Sequence, residues 1–181
     1  MKVLLIHSCA VLLLCSPTGA LVSRTQEGPN PSRIGDSSGL LISAPTFAVR
    51  DLQNRLHKTT ELQGSIVVLD FWATWCQPCI GELASFNRLQ EQYSGQGVRV
   101  IGMAVQSGWP KDIKRFAAKH SMHFLTLVGT DDTVSDFDVI SFPTTFVIAP
   151  GWKIYKKYIG TYEGKASEIE RDVQSLLSQK R

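Results

Sequence analysis

The chain has 181 residues, 43% of them hydrophobic, and a formal net charge of +3. That length suits one domain with flanking segments, and the apolar content is enough for a core. The modest charge, with acidic and basic residues interspersed, excludes a nucleic-acid binder built on a basic run.

Met1-Lys2 followed by Val3-Leu4-Leu5-Ile6 and Val11-Leu12-Leu13-Leu14 reads as a secretory signal. Its charged start is minimal and its apolar run is shorter than a membrane span requires. Thr18-Gly19-Ala20 offers a small-residue cleavage site. Residues 1–20 are therefore expected to be a signal peptide, or, if uncleaved, a signal anchor that tethers the chain to the membrane. Neither Cys9 nor Cys15 lies in a good lipid-attachment pattern. Residues 21–39 hold Gly28, Pro29, Pro31, Gly35, Gly39 and several serines without apolar periodicity, and read as a flexible leader. The folded domain is expected over residues 40–181. Cleavage would leave Cys76 and Cys79 as the only cysteines. One close pair is not a disulfide scaffold, which gains its stability from long bridged loops.

Residues 65–71 are nearly continuously apolar, as a strand buried on both faces should be. A helix follows over residues 76–93, with Leu83, Phe86, Leu89 and Tyr93 at helical spacing. A second central strand is expected over 98–105, a helix over 110–120 with Ile113, Phe116 and Ala117 inward, a short strand over 123–128, and a short helix or turn over 132–137. Ser141-Phe142-Pro143 precedes another apolar strand, an unusual place for proline because it removes a ladder donor. Residues 153–159 read as an edge strand and 167–177 as a closing helix with Ile169, Val173, Leu176 and Leu177 inward.

The chemistry sits where the first central strand meets the first helix, in Phe71-Trp72-Ala73-Thr74-Trp75-Cys76-Gln77-Pro78-Cys79. Cysteines three apart at a helix start share a face and can close a small disulfide ring. Cys76 would lie at the helix N-terminus, where the dipole and free N–H groups favour thiolate. Pro78 fits the first turn, where its missing N–H is no loss. Cys79 lies further in and should be less exposed, so Cys76 would attack and Cys79 resolve the mixed disulfide. Two other readings stay open: half of a zinc site, with His57, His120 and His123 as further ligands, and an inert structural disulfide. Asp70 interrupts an apolar strand, where burial would raise its pKa; the alternative is a strand-end acid capped by backbone donors. Glu82 follows Cys79 by three residues, and a solvated acid in an early helical turn is one reading of it.

The segment 71–79 resembles the active-site segment of thioredoxin-fold proteins, especially the secreted bacterial TlpA-like (ResA-like) thiol–disulfide oxidoreductases. The resemblance covers roughly residues 40–181 by order of elements. It implies an α/β, thioredoxin-like fold: a central mixed β-sheet flanked by helices, with the TlpA-like helix-and-strand insertion between the CxxC half and the cis-Pro half. Ala44-Pro45-Thr46-Phe47-Ala48-Val49, then Asp51, matches the Ala-Pro-x-Phe leading strand of that family, and residues 59–64 its turn before the first central strand. Pro143 matches the proline that is cis and packs beside the CxxC. Asp70 matches the buried acid that assists proton transfer at the inner cysteine, and Glu82 an acid common in the TlpA-like branch, a modulator of the site. Trp75, Gln77, Pro78, Phe142 and Pro143 are the implied substrate-binding residues, with Trp72 and Trp75 partly core. Phe142 stands where smaller residues are common, Ala84 where many thioredoxins have a kinking proline, and the lysine near thioredoxin's buried acid has no match in Gly102-Met103-Ala104-Val105.

The resemblance implies an exported, periplasmic enzyme that needs no metal or organic cofactor. Its partner is a protein thiol or disulfide, for instance apocytochrome c before haem attachment, with electrons from a membrane donor. Its direction favours reduction. An oxidase or isomerase of exported proteins is the alternative within enzymes, and a redox-inert peptide-binding module the alternative outside them. The Pro-x-x-x-Thr-x-x-Cys pattern of a peroxiredoxin is absent, since Thr74 is only two before Cys76.

Overall fold

The computed structural model describes residues 41–180. The expected signal over 1–20 and leader over 21–39 lie outside the described residues. Among these residues seven strands form one sheet: β1 (Ala48–Asp51), β2 (Leu56–Lys58), β3 (Ile66–Trp72), β4 (Val98–Ala104), β5 (Leu125–Val128), β6 (Thr144–Ala149) and β7 (Lys153–Ile159). Four α-helices accompany them among the described residues: α1 (Gln77–Tyr93), α2 (Pro110–Lys119), α3 (Asp131–Asp136) and α4 (Lys165–Gln179). The strand order is β2-β1-β5-β4-β3-β6-β7. Within it β3, β4 and β5 run parallel, while β6, β7, β1 and β2 pair antiparallel to their neighbours. This is the mixed, helix-flanked sheet of a thioredoxin-like fold. The expected insertion is present as α2, β5 and α3, and β5 joins the sheet beside β4.

Alternation along β3 sorts its side chains onto two faces. Ile66 and Val68 pack with Leu83, Phe86 and Leu89 of α1 and Ile169, Val173 and Leu176 of α4. Val67, Leu69 and Phe71 pack on the opposite side with Phe47, Phe137, Phe146 and Trp152. Every residue of β3 and of β6 is buried, as two covered faces require. Asp70 is even-numbered like Val68 and Trp72. It therefore faces the layer made by α1 and α4, and register places it between Gly102 of β4 and Thr145 of β6.

The hairpin β1–β2 was not anticipated from the sequence; only the first of its strands overlapped the expected leading strand. No hydrophobic alternation marks Leu56-His57-Lys58. The turn is instead held by one buried carboxylate. Asp51 accepts the backbone N–H groups of Gln53 and Arg55 at 2.8 and 2.9 Å and the Arg55 Nε–H at 2.7 Å, and it meets His57 Nε2 at 3.0 Å. Burial works to raise the Asp51 pKa, but the bonds from His57, Arg55 and Gln53 outweigh it and hold the carboxyl well below its usual range. A depressed acid stabilises the fold above its unfolded pKa and loses that contribution as pH falls. Asp51→Ala should therefore cost about 2–3 kcal/mol at pH 7. Urea titrations should show the gap between wild type and variant shrinking as pH falls below the unfolded value of 3.8.

Candidate active site

The lead-in 71–75 delivers Cys76 to the N-cap of α1 in an extended conformation, and Pro78 occupies its first turn. Cys76 and Cys79 are joined by a disulfide with a Cα–Cα distance of 5.3 Å. The Cys79 N–H donates to Cys76 Sγ at 3.3 Å. A sulfur at a helix N-terminus that also accepts a backbone N–H is placed to carry negative charge. The expected difference in exposure is small: Cys79 is 1% exposed and Cys76 only 4%. What separates the two sulfurs in this oxidised form is position, cap against first turn.

The loop before the pair is pinned from the β4 side. Ser107 Oγ accepts the Thr74 N–H at 3.0 Å and donates to the Val105 carbonyl at 2.8 Å. The Trp75 indole N–H donates to the Gln106 carbonyl at 3.0 Å. Trp75 remains 60% exposed, with its ring edge-on to Phe142 at 5.8 Å between centroids. The Phe142–Pro143 bond is cis, and Phe142 packs against the cluster of Trp72, Ala73, Cys76 and Cys79. Gln77 and Pro78 are exposed on the first turn of α1, and Pro143 is buried. The structure thus gathers Trp75, Cys76, Cys79 and Phe142 at one end of the sheet. Trp109, 73% exposed and three residues beyond Gln106, was not singled out in the sequence because nothing local distinguishes it from a core tryptophan.

Behind this rim lies a polar group inside the α1/α4 layer. Asp70 is buried and accepts the Thr145 hydroxyl at 2.7 Å. It is a mid-strand acid met by a side chain, so the strand-end reading with backbone donors does not hold. Burial pushes its pKa up to about 7, although Lys165 and the Thr145 bond pull it down. Glu82 is not a solvated acid either: its carboxylate accepts the Lys165 ammonium at 2.9 Å and the Thr161 hydroxyl at 3.1 Å. Gly102, beside Asp70 in β4, has no room for a side chain. A Cβ there would lie 2.7 Å from Trp72 Nε1 and 2.9 Å from the Phe124 ring. α1 runs unbroken past Ala84. Among the described residues no three His, Cys, Asp or Glu side chains gather as metal ligands would, and His120 stacks on Phe116 at 4.2 Å. No helix among them is long and apolar enough to cross a membrane.

Residues 42–157 match the model of the AhpC/TSA family. The chain is similar to the thiol–disulfide oxidoreductase ResA of Geobacillus thermodenitrificans, 37% identical over 136 residues, covering 74% of this chain and 76% of that one. It is also similar to ResA of Bacillus subtilis, 34% identical over 120 residues, covering 65% of this chain and 66% of that one. Among solved structures it resembles one from Chlorobium tepidum, described as a thiol:disulfide interchange protein of DsbE type. That match has a TM-score of 0.70 at 26% identity, covering 76% of this chain and 96% of that one.

Proposed function

Because this chain belongs to the AhpC/TSA family, and within it to the TlpA-like (ResA-like) thiol–disulfide oxidoreductases, we propose that it reduces disulfides of exported proteins by dithiol–disulfide exchange. The observation that carries this reading is the Cys76–Cys79 disulfide at the N-terminus of α1, with Cys76 as the cap. In the reduced enzyme, Cys76 thiolate attacks a substrate disulfide, forms a mixed disulfide and releases one substrate thiolate. Cys79 loses its proton to Asp70, attacks Cys76 Sγ and expels the second substrate thiolate, leaving the internal disulfide. The two electrons have then passed from the Cys76–Cys79 dithiol to the substrate, and a membrane donor restores the dithiol. Thiols of apocytochrome c, kept reduced for haem attachment, are the substrate class this reading favours.

Substrate would lie along the rim of Trp75, Gln77, Pro78 and Phe142, beside the buried Pro143, its backbone extended along the residues before β6. Export by a signal over residues 1–20 to the periplasm, cleaved or retained as a tether, fits this assignment, with one thioredoxin-like domain from residue 40 onward. The test is insulin reduction together with the reduction potential of the pair. Turnover and a potential near or below about −250 mV support a reductase, whereas a value near that of the strong oxidant DsbA, about −120 mV, would make the enzyme an oxidase. Absence of any exchange would leave only a peptide-binding module.

A further inference from the structure

The last helix begins with a residue that local physics disfavours. Lys165 is the first residue of α4, directly after Gly164 in a left-handed conformation. A cation at a helix N-terminus opposes the helix dipole, and burying an ammonium is unfavourable unless it is paired. Yet Lys165 is 2% exposed. Its ammonium donates to Glu82 at 2.9 Å and to the Gly160 carbonyl at 2.9 Å. Glu82 in turn stands on α1 three residues past Cys79, on the helix face turned to the sheet. The arrangement carries a positive charge from α4 into the layer between α1 and β3 that also holds Asp70. Both members of the pair act on Asp70 through space, Lys165 to favour its anion and Glu82 to disfavour it.

Resting on the reductase reading above, the geometry points to Lys165 as a positioning residue: the buried countercharge, anchored by Glu82, that opposes the effect of burial and favours the anionic form of Asp70, the form able to take the proton from Cys79. The residue supplies from α4 a charge that the β4 segment Gly102-Met103-Ala104-Val105 does not contain. The β4 and β6 positions paired with Asp70 are Gly102 and Thr145, and α1 contributes Glu82. Among the described residues Lys165 is the cation acting on Asp70.

A structural role for the ion pair would make the Lys165 and Glu82 variants fail alike. A role in setting the charge of Asp70 makes them move in opposite directions. Lys165→Met keeps the aliphatic stem and removes the charge. The acid limb of the pH–rate profile for release of substrate from the mixed disulfide should then rise by about one pH unit or more. Below that limb the rate should drop about tenfold. Glu82→Gln removes the opposing anion and should shift the limb downward, while Lys165→Met/Glu82→Gln should return it toward wild type. Lys165→Arg, which keeps the charge, should restore the wild-type limb. Infrared titration of the Asp70 carboxyl in 13C-labelled enzyme reads the same shifts without turnover. Coincident profiles for wild type and Lys165→Met, or shifts of the same sign in both single variants, would overturn the proposal. Should Lys165→Met not fold, Glu82→Gln decides alone: a downward shift of the Asp70 titration supports the proposal, and no shift or an upward one ends it. Wild-type enzyme without insulin reductase activity would instead sink the parent reading, and the carboxyl titration keeps the two failures apart.

Discussion

Replacing Cys76 by serine is expected to abolish insulin reduction, by on the order of a thousandfold or more. A serine hydroxyl does not ionise near neutral pH and forms no bond to sulfur that exchange can reverse. Cys79→Ser should behave differently. Its Cys76 remains at the N-cap of α1, free of its disulfide partner, and still attacks, but nothing resolves the product. Mixed disulfides should accumulate through Cys76 and be recoverable by mass spectrometry after acid quenching. The contrast depends on position, because exposure hardly separates the two sulfurs. Linkage through residue 79 in the Cys76→Ser protein, with none through 76 in the Cys79→Ser protein, would reverse the roles.

Asp70→Asn is expected to separate catalysis from stability. With a pKa of about 7, the carboxylate is available to take a proton from Cys79 as pH rises through neutrality. Its loss should slow resolution of the mixed disulfide by about a hundredfold at pH 8, within the usual range for a positioned general base, and flatten the acid limb of the profile. The stability effect has the opposite sign. An acid whose pKa is raised on folding binds its proton more tightly in the native state. Its contribution is present below the unfolded value of 3.8 and lost as pH rises to about 7. A shift of that size corresponds to on the order of 4 kcal/mol. Wild-type stability should therefore carry a decline across that window which Asp70→Asn lacks, so that above pH 7 the variant gains relative to wild type. The Thr145 hydroxyl can still donate to the asparagine oxygen, which keeps the cost of the exchange low. Calorimetric melts at pH 4.5 and pH 8 read this directly. Parallel melting curves for the two proteins, with equal exchange rates, would leave Asp70 without a role in either.

The acid was legible because a lone Asp in an Ile-Val-Val-Leu-x-Phe-Trp strand has nowhere to go but inside. The elements of the sheet were legible for a related reason: continuous apolar runs and helical spacing of Leu83, Phe86 and Leu89 report burial along one stretch of chain, and burial follows from hydrophobicity alone. The CxxC chemistry was likewise local, since two thiols and a helix start lie within four residues of each other. β2 escaped because its three residues carry no alternation and its turn depends on a single carboxylate six residues from His57.

What the sequence by itself determined is the order of the central strands and the helices, the cysteine pair and the presence of a buried acid, each set by interactions between neighbours in the chain. Only the tertiary structure decided which charge that acid would see. Glu82 reads locally as an ordinary helix acid and Lys165 as an ordinary surface lysine, 83 residues apart. The packing of α1 and α4 on one face of the sheet desolvates both and brings them within 2.9 Å of each other. The electrostatics of such a pair depend on distance and on the exclusion of water, and spacing along a sequence encodes neither.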